Sequence, residues 1–217
     1  MLVLVPTPRP GLRERKKRAT RKALRDAALR LALERGTDNV RVDDIAEAAG
    51  VSPRTYNNYF ASREQAIVAA VTGEREARIA EAVAARPASS RLAEAVTEAI
   101  VEQYTGPGSH DPRALLLITA SPALRDAYLG TAAGIENPLT AVIAERTGDA
   151  GQHTAQVLSA SIAAAVRIAL QQWLRPAAET RTATELVIPS GSLPDLLRTA
   201  LAPLAPALDA AERRPKQ

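Results

Sequence analysis

The sequence predicts an all-α protein of about nine helices in two unequal parts. An N-terminal three-helix domain carries a helix-turn-helix, and a larger helical bundle follows. Three observations lead there. Apolar residues recur at helical spacing through most of the chain, and no segment alternates with the period of two that a half-buried strand requires. Alanine is abundant and aromatics make up only 3% of the 217 residues, a composition suited to closely packed helices. Most glycines, prolines and serines fall between the periodic runs, where they act as stop and start signals.

Residues 1–10, with Pro6, Pro8 and Pro10, read as a disordered lead-in, and residues 212–217 as a disordered tail. The apolar start is too short for a signal-peptide core or a membrane span. A first helix is expected over residues 12–35, with Leu24, Ala27, Ala28, Leu31 and Ala32 as its buried stripe and Gly36 as its stop. A short second helix covers residues 42–49, with Ile45, Ala46 and Ala49 inward, and Gly50 ends it in the left-handed conformation. Val51 plugs the core at the turn. Ser52 caps a third helix and Pro53 takes its first position, where a missing N–H costs nothing.

That helix ends near Tyr59-Phe60. Ser62 and Gln65 then form a capping box that opens a long fourth helix, to about residue 85. Amphipathic or apolar helices follow over residues 91–104, 113–120, 122–146 and 152–174. The third of these is bent at Gly134 and Pro138. Residues 105–112 form a loop and 176–191 a loose connection. The last helix, 193–211, is interrupted by Pro203 and Pro206. The domains are therefore residues 11–61, the helix-turn-helix, and 62–211, the dimerisation and ligand-binding body.

Charge separates the two parts. Residues 1–63 carry fourteen Arg and Lys against seven Asp and Glu, so the front is +7 and the remainder −3. A basic front beside a mildly acidic back points to a polyanionic partner for the front. The scarcity of aromatics disfavours single strands, whose binders use stacking platforms, and favours duplex DNA. There is no cysteine, which excludes disulfides and thiolate metal sites. His110 and His153 have no partner at metal spacing, so no metal and no cofactor are expected.

The candidate recognition helix begins at Ser52-Pro53. Tyr56 and Phe60, four apart, face inward, while Arg54, Thr55, Asn57, Asn58 and Tyr59 face outward. Arg binds both acceptors of guanine and Asn both edge groups of adenine, so Arg54 and Asn58 are the expected base readers. Thr55, Tyr59 and the amides at the helix start suit phosphate oxygens. Tyr59 is as consistent with packing as with contact. The basic run Arg13, Arg15, Lys16, Lys17, Arg18, Arg21 and Lys22 meets phosphates or the adjacent minor groove, or is simply a solvated face. Arg63, heading the fourth helix, would clamp a further phosphate.

The run Ile45-Ala46-Glu47-Ala48-Ala49-Gly50-Val51-Ser52, then Thr55, then Tyr59-Phe60-Ala61-Ser62-Arg63-Glu64, resembles the signature of the TetR family of repressors. The resemblance covers about residues 12–71. It implies an all-helical homodimer with double-stranded operator DNA as partner and an effector pocket in each C-terminal body. It also implies a bacterial cytoplasmic, nucleoid-associated protein with no membrane partner. Carried over by position, Thr55, Asn57, Asn58, Tyr59 and Arg63 fall where the family contacts DNA, with Ser52 and Pro53 at the start of the recognition helix. Two residues depart from the family pattern. Asn57 stands where an aromatic phosphate contact is common. Arg41 stands where a threonine often caps the second helix, so that it joins the DNA-facing set and capping either passes to Asp43 or goes unfilled.

In the body, Ser121-Pro122-Ala123-Leu124-Arg125, Trp173 at the end of an Ala-rich helix, and the opening Gly11-Leu12-Arg13-Glu14-Arg15-Lys16-Lys17 are similar to a subgroup of the family. That subgroup is held to sense acyl-coenzyme-A-like ligands and includes the mycofactocin-type repressors. Tyr104, Leu115, Ile118, Tyr128, Arg167 and Gln171 are the expected ligand contacts. Ser159, Arg167, Gln171 and Arg175 make a polar stripe that faces either solvent or the pocket. Leu158, Ile162, Ala165 and Ala169, on another face, are the expected dimer seam, together with the last helix. A ligand-independent architectural DNA binder is the alternative. An enzyme is disfavoured, since no P-loop, dinucleotide fingerprint or metal cluster occurs.

Overall fold

The computed structural model describes residues 11–87, 89–106, 112–148, 152–175 and 191–212. The expected lead-in, the tail beyond Glu212, most of the 105–112 loop and the 176–190 connection lie outside them. Among the described residues the chain is helical, without strands. Among the described residues nine helical runs stand where the sequence places them, and three are broken in two.

The chain divides into two compact units at Ala70/Val71. In the first, α1 (Leu12–Arg35) ends at Gly36, whose φ is +78°. Its buried residues are Leu24, Ala27, Ala28, Leu31 and Ala32, the stripe that the period predicts. A 3₁₀ turn (Thr37–Asn39) leads to α2 (Val42–Ala48) and α3 (Pro53–Asn57). α2 packs on α1, and α3 on α2. α4 (Arg63–Thr72) begins within this unit and runs across the division.

The expected continuous fourth helix stops at Gly73, whose φ is +61°, and resumes as α5 (Arg75–Ala85). An isolated glycine is tolerated in a helix, but here its freedom at positive φ turns the chain. The second unit continues through α6 (Leu92–Thr105), α7 (Pro112–Ala120), α8 (Pro122–Gly130) and a 3₁₀ turn (Thr131–Ile135). It ends with α9 (Glu136–Thr147), α10 (Gln152–Trp173), α11 (Leu193–Leu201), a 3₁₀ turn at Pro203 and α12 (Ala205–Glu212). The bend expected near Gly134 is that first 3₁₀ turn. There the Glu76 side chain lies so close that a Cβ on Gly134 would meet its Cγ at 3.0 Å.

α10 packs against α9 and α11, α5 against α6 and α9, and α6 against α11 and α12. α6 buries Leu92, Ala95, Val96, Ala99, Ile100 and Tyr104 among them. The end of α12 is held by charge. Arg91 pairs with Asp209, Arg146 Nη2 lies 2.7 Å from Glu212, and the Leu92 N–H donates to Glu212 at 2.9 Å. By length and composition α10 passes for a membrane span, but half of its apolar stretch is buried inside the protein, as in a core helix.

Candidate functional site

The front unit builds its outward face from local rules. Gly50, at φ +68°, closes α2, and the Val51 N–H returns to the Ala46 carbonyl at 2.9 Å. Val51 is half-buried rather than a full core plug. The Ser52 hydroxyl accepts from the Thr55 N–H at 3.2 Å, and Pro53 occupies the first turn of α3. Losing this cap through Ser52→Ala is expected to cost about 1 kcal/mol of unfolding free energy. A denaturant midpoint unchanged by that substitution would contradict the role.

α3 is shorter than expected. Its α-helical part ends at Asn57, and tight turns carry the backbone through Asn58 and Tyr59 to Phe60. Tyr56 and Phe60 are buried, with ring centroids 5.9 Å apart. The Tyr56 hydroxyl donates to the Ser62 carbonyl at 2.8 Å, and burial, then the Glu64 charge, pushes its pKa up to about 12. It is therefore a neutral anchor that fixes the far side of α3. Outward lie Arg54, Asn57 and Asn58, all exposed, with Thr55 and Tyr59 half-exposed.

Two caps differ from expectation. The Arg41 N–H donates to the Asp44 carboxylate at 3.0 Å, so Asp44, not Asp43, takes over at the start of α2 and leaves the Arg41 side chain exposed. Ser62 caps α4 by accepting from the Gln65 N–H at 3.2 Å, but Gln65 reaches back one residue further than a capping box requires, to the Ala61 N–H at 3.0 Å.

Arg63 is committed within the front unit. Its Nη1 donates to the Val40 carbonyl at 2.9 Å and to the Asp38 carbonyl at 3.3 Å, and its Nε to Glu64 at 2.7 Å. Burial, the largest single influence, would raise the Glu64 pKa, but the hydrogen bonds from Arg63, its own backbone N–H and Ser62, together with the Arg63 charge, outweigh it and the net shift is downward. Arg63 thus ties the start of α4 to the segment that precedes α2. On α1, Arg13, Lys16 and Lys17 are exposed, and Arg21 stacks over Phe60 at 5.0 Å.

The second unit holds a buried polar cluster that sequence reasoning found only in part. Tyr104 and Tyr128 are buried, as is Ile118, and Leu115 is half-buried. Between the two tyrosines lies Arg75, 2% exposed. Its guanidinium carbon sits 4.4 Å from the Tyr104 ring centroid and 6.0 Å from that of Tyr128, and its Nη1 donates to the Tyr128 hydroxyl at 3.5 Å. Burial raises both phenol pKa values, partly offset by the Arg75 charge, so both hydroxyls are neutral. Taking a cation out of water costs several kcal/mol, and ring faces return about 0.5–2 kcal/mol each. A buried charge of this kind marks a candidate binding site.

α10 reverses the faces expected of it. Leu158, Ile162, Ala165 and Ala169 are buried in the chain's own core and are closed to a second copy. Arg167 and Gln171 are exposed, on the outer face with Ala160, Ala164, Val157 (52% exposed) and Ile168 (54%). The helix is apolar on almost every side, so periodicity identifies the stripes but not which of them packs inward.

The sequence matches the family model for bacterial regulatory proteins of the tetR family over residues 24–70. It matches the MftR C-terminal domain over residues 90–209. It is 34% identical over 148 residues to the HTH-type transcriptional regulator TcmR of Streptomyces glaucescens, covering 64% of this chain and 65% of that protein. It is 41% identical over 80 residues to the HTH-type transcriptional regulator BetI of Rhizobium meliloti (strain 1021), covering 37% of this chain and 39% of that one. The chain thus spans less than two thirds of the length of either relative. Among solved structures, the fatty acid degradation regulator FadR from Bacillus halodurans aligns with a TM-score of 0.44 at 17% identity, over 91% of this chain and 97% of that one.

Proposed function

The chain belongs to the TetR family of bacterial regulatory proteins, with an MftR-type C-terminal domain, and we propose that it is a cytoplasmic repressor that grips operator DNA as a dimer and lets go when its body binds an acyl-coenzyme-A-like effector. The single observation that carries this reading is the outward face of α3. Arg54, Asn57 and Asn58 stand exposed on a helix start whose other side is pinned by Tyr56, Phe60 and the Ser52 cap. Two such faces, roughly 34–36 Å apart, would read a near-palindrome.

Phosphate contacts fall to Thr55, Tyr59, Arg41 and the α1 residues Arg13, Lys16 and Lys17, with Ser52 and Pro53 presenting the helix amides. Replacing Lys16 and Lys17 by glutamine is expected to weaken operator and random duplex alike and to reduce the salt slope by about two. A loss confined to the operator would contradict their role.

For the dimer, the outer face of α10 replaces the expected seam. Val157, Ala160, Ala164 and Ile168 lie exposed there, and Ala202, Pro203, Pro206, Ala207 and Ala210 lie exposed on the last two helical segments. Small apolar residues on two neighbouring helices suit close packing against a second copy. Ile168→Glu is expected to yield a monomer by sedimentation. A dimer of unchanged affinity would move the seam elsewhere. Arg167 and Gln171 belong to this outer face and no longer to the ligand contacts.

For the effector, Arg75, Tyr104 and Tyr128 offer a cation and two phenols to an acceptor-rich head, and Leu115 and Ile118 of α7 are the apolar residues proposed to meet an acyl chain. An effector must bind the DNA-incompetent form more tightly, and the coupling is typically ~1–3 kcal/mol. The test is a titration of the DNA complex with acyl-coenzyme A across chain lengths, beside free coenzyme A and free fatty acid. Chain-length-dependent release is expected. An intact complex throughout would remove the acyl-coenzyme-A assignment, and robust thioester hydrolysis would overturn the regulatory reading.

A further inference from the structure

The first turns of α1 are built unlike the rest of that helix. Residues 12–19 are all exposed, and the first buried side chain is Leu24. The match to the family model also begins only at residue 24. Within residues 12–19 five basic residues, Arg13, Arg15, Lys16, Lys17 and Arg18, stand against Glu14 alone.

Local forces disfavour a free helix here. Gly11 supplies no side-chain cap. Arg13 and Arg15 place positive charge at the positive end of the helix dipole. Arg13/Lys16, Arg13/Lys17 and Arg15/Arg18 are like-charge neighbours at spacings of three and four, which destabilise a helix. The one compensating pair, Glu14 with Arg18 at 3.8 Å, is exposed on both sides and so weak. Residues 12–19 have no buried face, so only backbone bonds and propensity hold this end of α1, and unpacked helix ends of this kind fray. The base is better held, since Arg21 stacks on Phe60 and Lys22 lies 2.6 Å from Asp26.

Each of these unfavourable features becomes favourable against a polyanion. We infer that residues 12–20 form a phosphate-tracking arm whose helix is completed on duplex DNA, so that operator binding is coupled to folding of this segment. The inference rests on the DNA-binding reading and deepens it. Ordering the arm sets part of the affinity by helix propensity as well as by charge, and does so without regard to base sequence. It also gives the chain a contact outside the helix-turn-helix, anchored through Arg21 and Phe60 to the end of the recognition segment.

The test uses the full-length protein and a random-sequence duplex of about three helical turns, ~30 bp. Amide hydrogen exchange over residues 12–20 is measured with and without the duplex. Two charge-neutral variants, Ala19→Gly and Thr20→Ala, are compared for affinity. Coupled folding predicts protection that appears only on DNA. It also predicts an affinity about five-fold lower for Ala19→Gly and about two-fold higher for Thr20→Ala, with the thermal midpoint little changed because Ala19 is exposed and Thr20 only half-buried. Equal protection in the free protein would overturn the inference while leaving DNA binding intact. So would binding with neither protection nor any response to the two variants. Failure of wild type to retain any duplex at low salt would instead overturn the DNA-binding reading itself.

Discussion

Asn58→Ala is expected to weaken binding to the cognate operator by about 1–3 kcal/mol and to relax the base preference at one position in each half-site. The reason is geometric. An asparagine amide offers one donor and one acceptor in a plane, the complement of the adenine N6/N7 edge in the major groove, and alanine offers neither. Asn58 is exposed at the end of α3, where its backbone N–H already bonds to the Thr55 carbonyl at 3.1 Å, so the local fold does not need its side chain. The variant should therefore keep its thermal midpoint and its weak affinity for random duplex. Arg54→Ala should behave in the same way at a guanine. An unchanged affinity with an unchanged sequence preference would show that Asn58 does not read a base.

Arg75→Met is expected to abolish release by the effector while leaving the protein folded and DNA-competent. Methionine approximates the length of the arginine stem and removes a cation that is 2% exposed. The substitution ends the desolvation cost of the cation but takes away the donor to the buried Tyr128 hydroxyl, so a modest fall in thermal midpoint with a cooperative transition retained is expected. Effector affinity should fall ten-fold or more, since a hydrogen bond to a charged group contributes about 1.5–3 kcal/mol. Arg75→Lys guards against a mere packing effect. It keeps the charge but not the planar fork, so partial recovery is expected. Wild-type effector affinity in a folded Arg75→Met protein would remove Arg75 from the ligand site.

The front of the molecule was legible because its signals are local. Gly50 must turn the chain, Ser52 must cap, Pro53 must stand first, and Tyr56 and Phe60 must share one face of a short helix. What escaped was finer. Asp44 rather than Asp43 reaches the Arg41 N–H, a difference of about a quarter-turn that composition does not resolve. The break at Gly73 escaped because a lone glycine inside a periodic run fits either a tolerated residue or a turn.

The body was less legible for two physical reasons. α10 is apolar on nearly all sides, so the spacing that suits Leu158, Ile162, Ala165 and Ala169 to a seam with another copy suits them equally to the core of their own chain, where they lie. Arg75 sits in the charged string Arg75-Glu76-Ala77-Arg78, which reads as solvated helix. Only the packing of α5 against α6 draws it inward onto Tyr104. Burial of a charge is decided by tertiary neighbours, and a single sequence does not carry them.

The most direct test of the central claim is selection of bound duplexes from a random pool by the full-length protein, followed by a footprint on the enriched sequence. A sequence-reading dimer predicts a near-palindrome whose half-sites lie about one helical turn apart, roughly 10 bp, protected on both halves. Retention that depends only on duplex length and salt, with no sequence enriched, would contradict it.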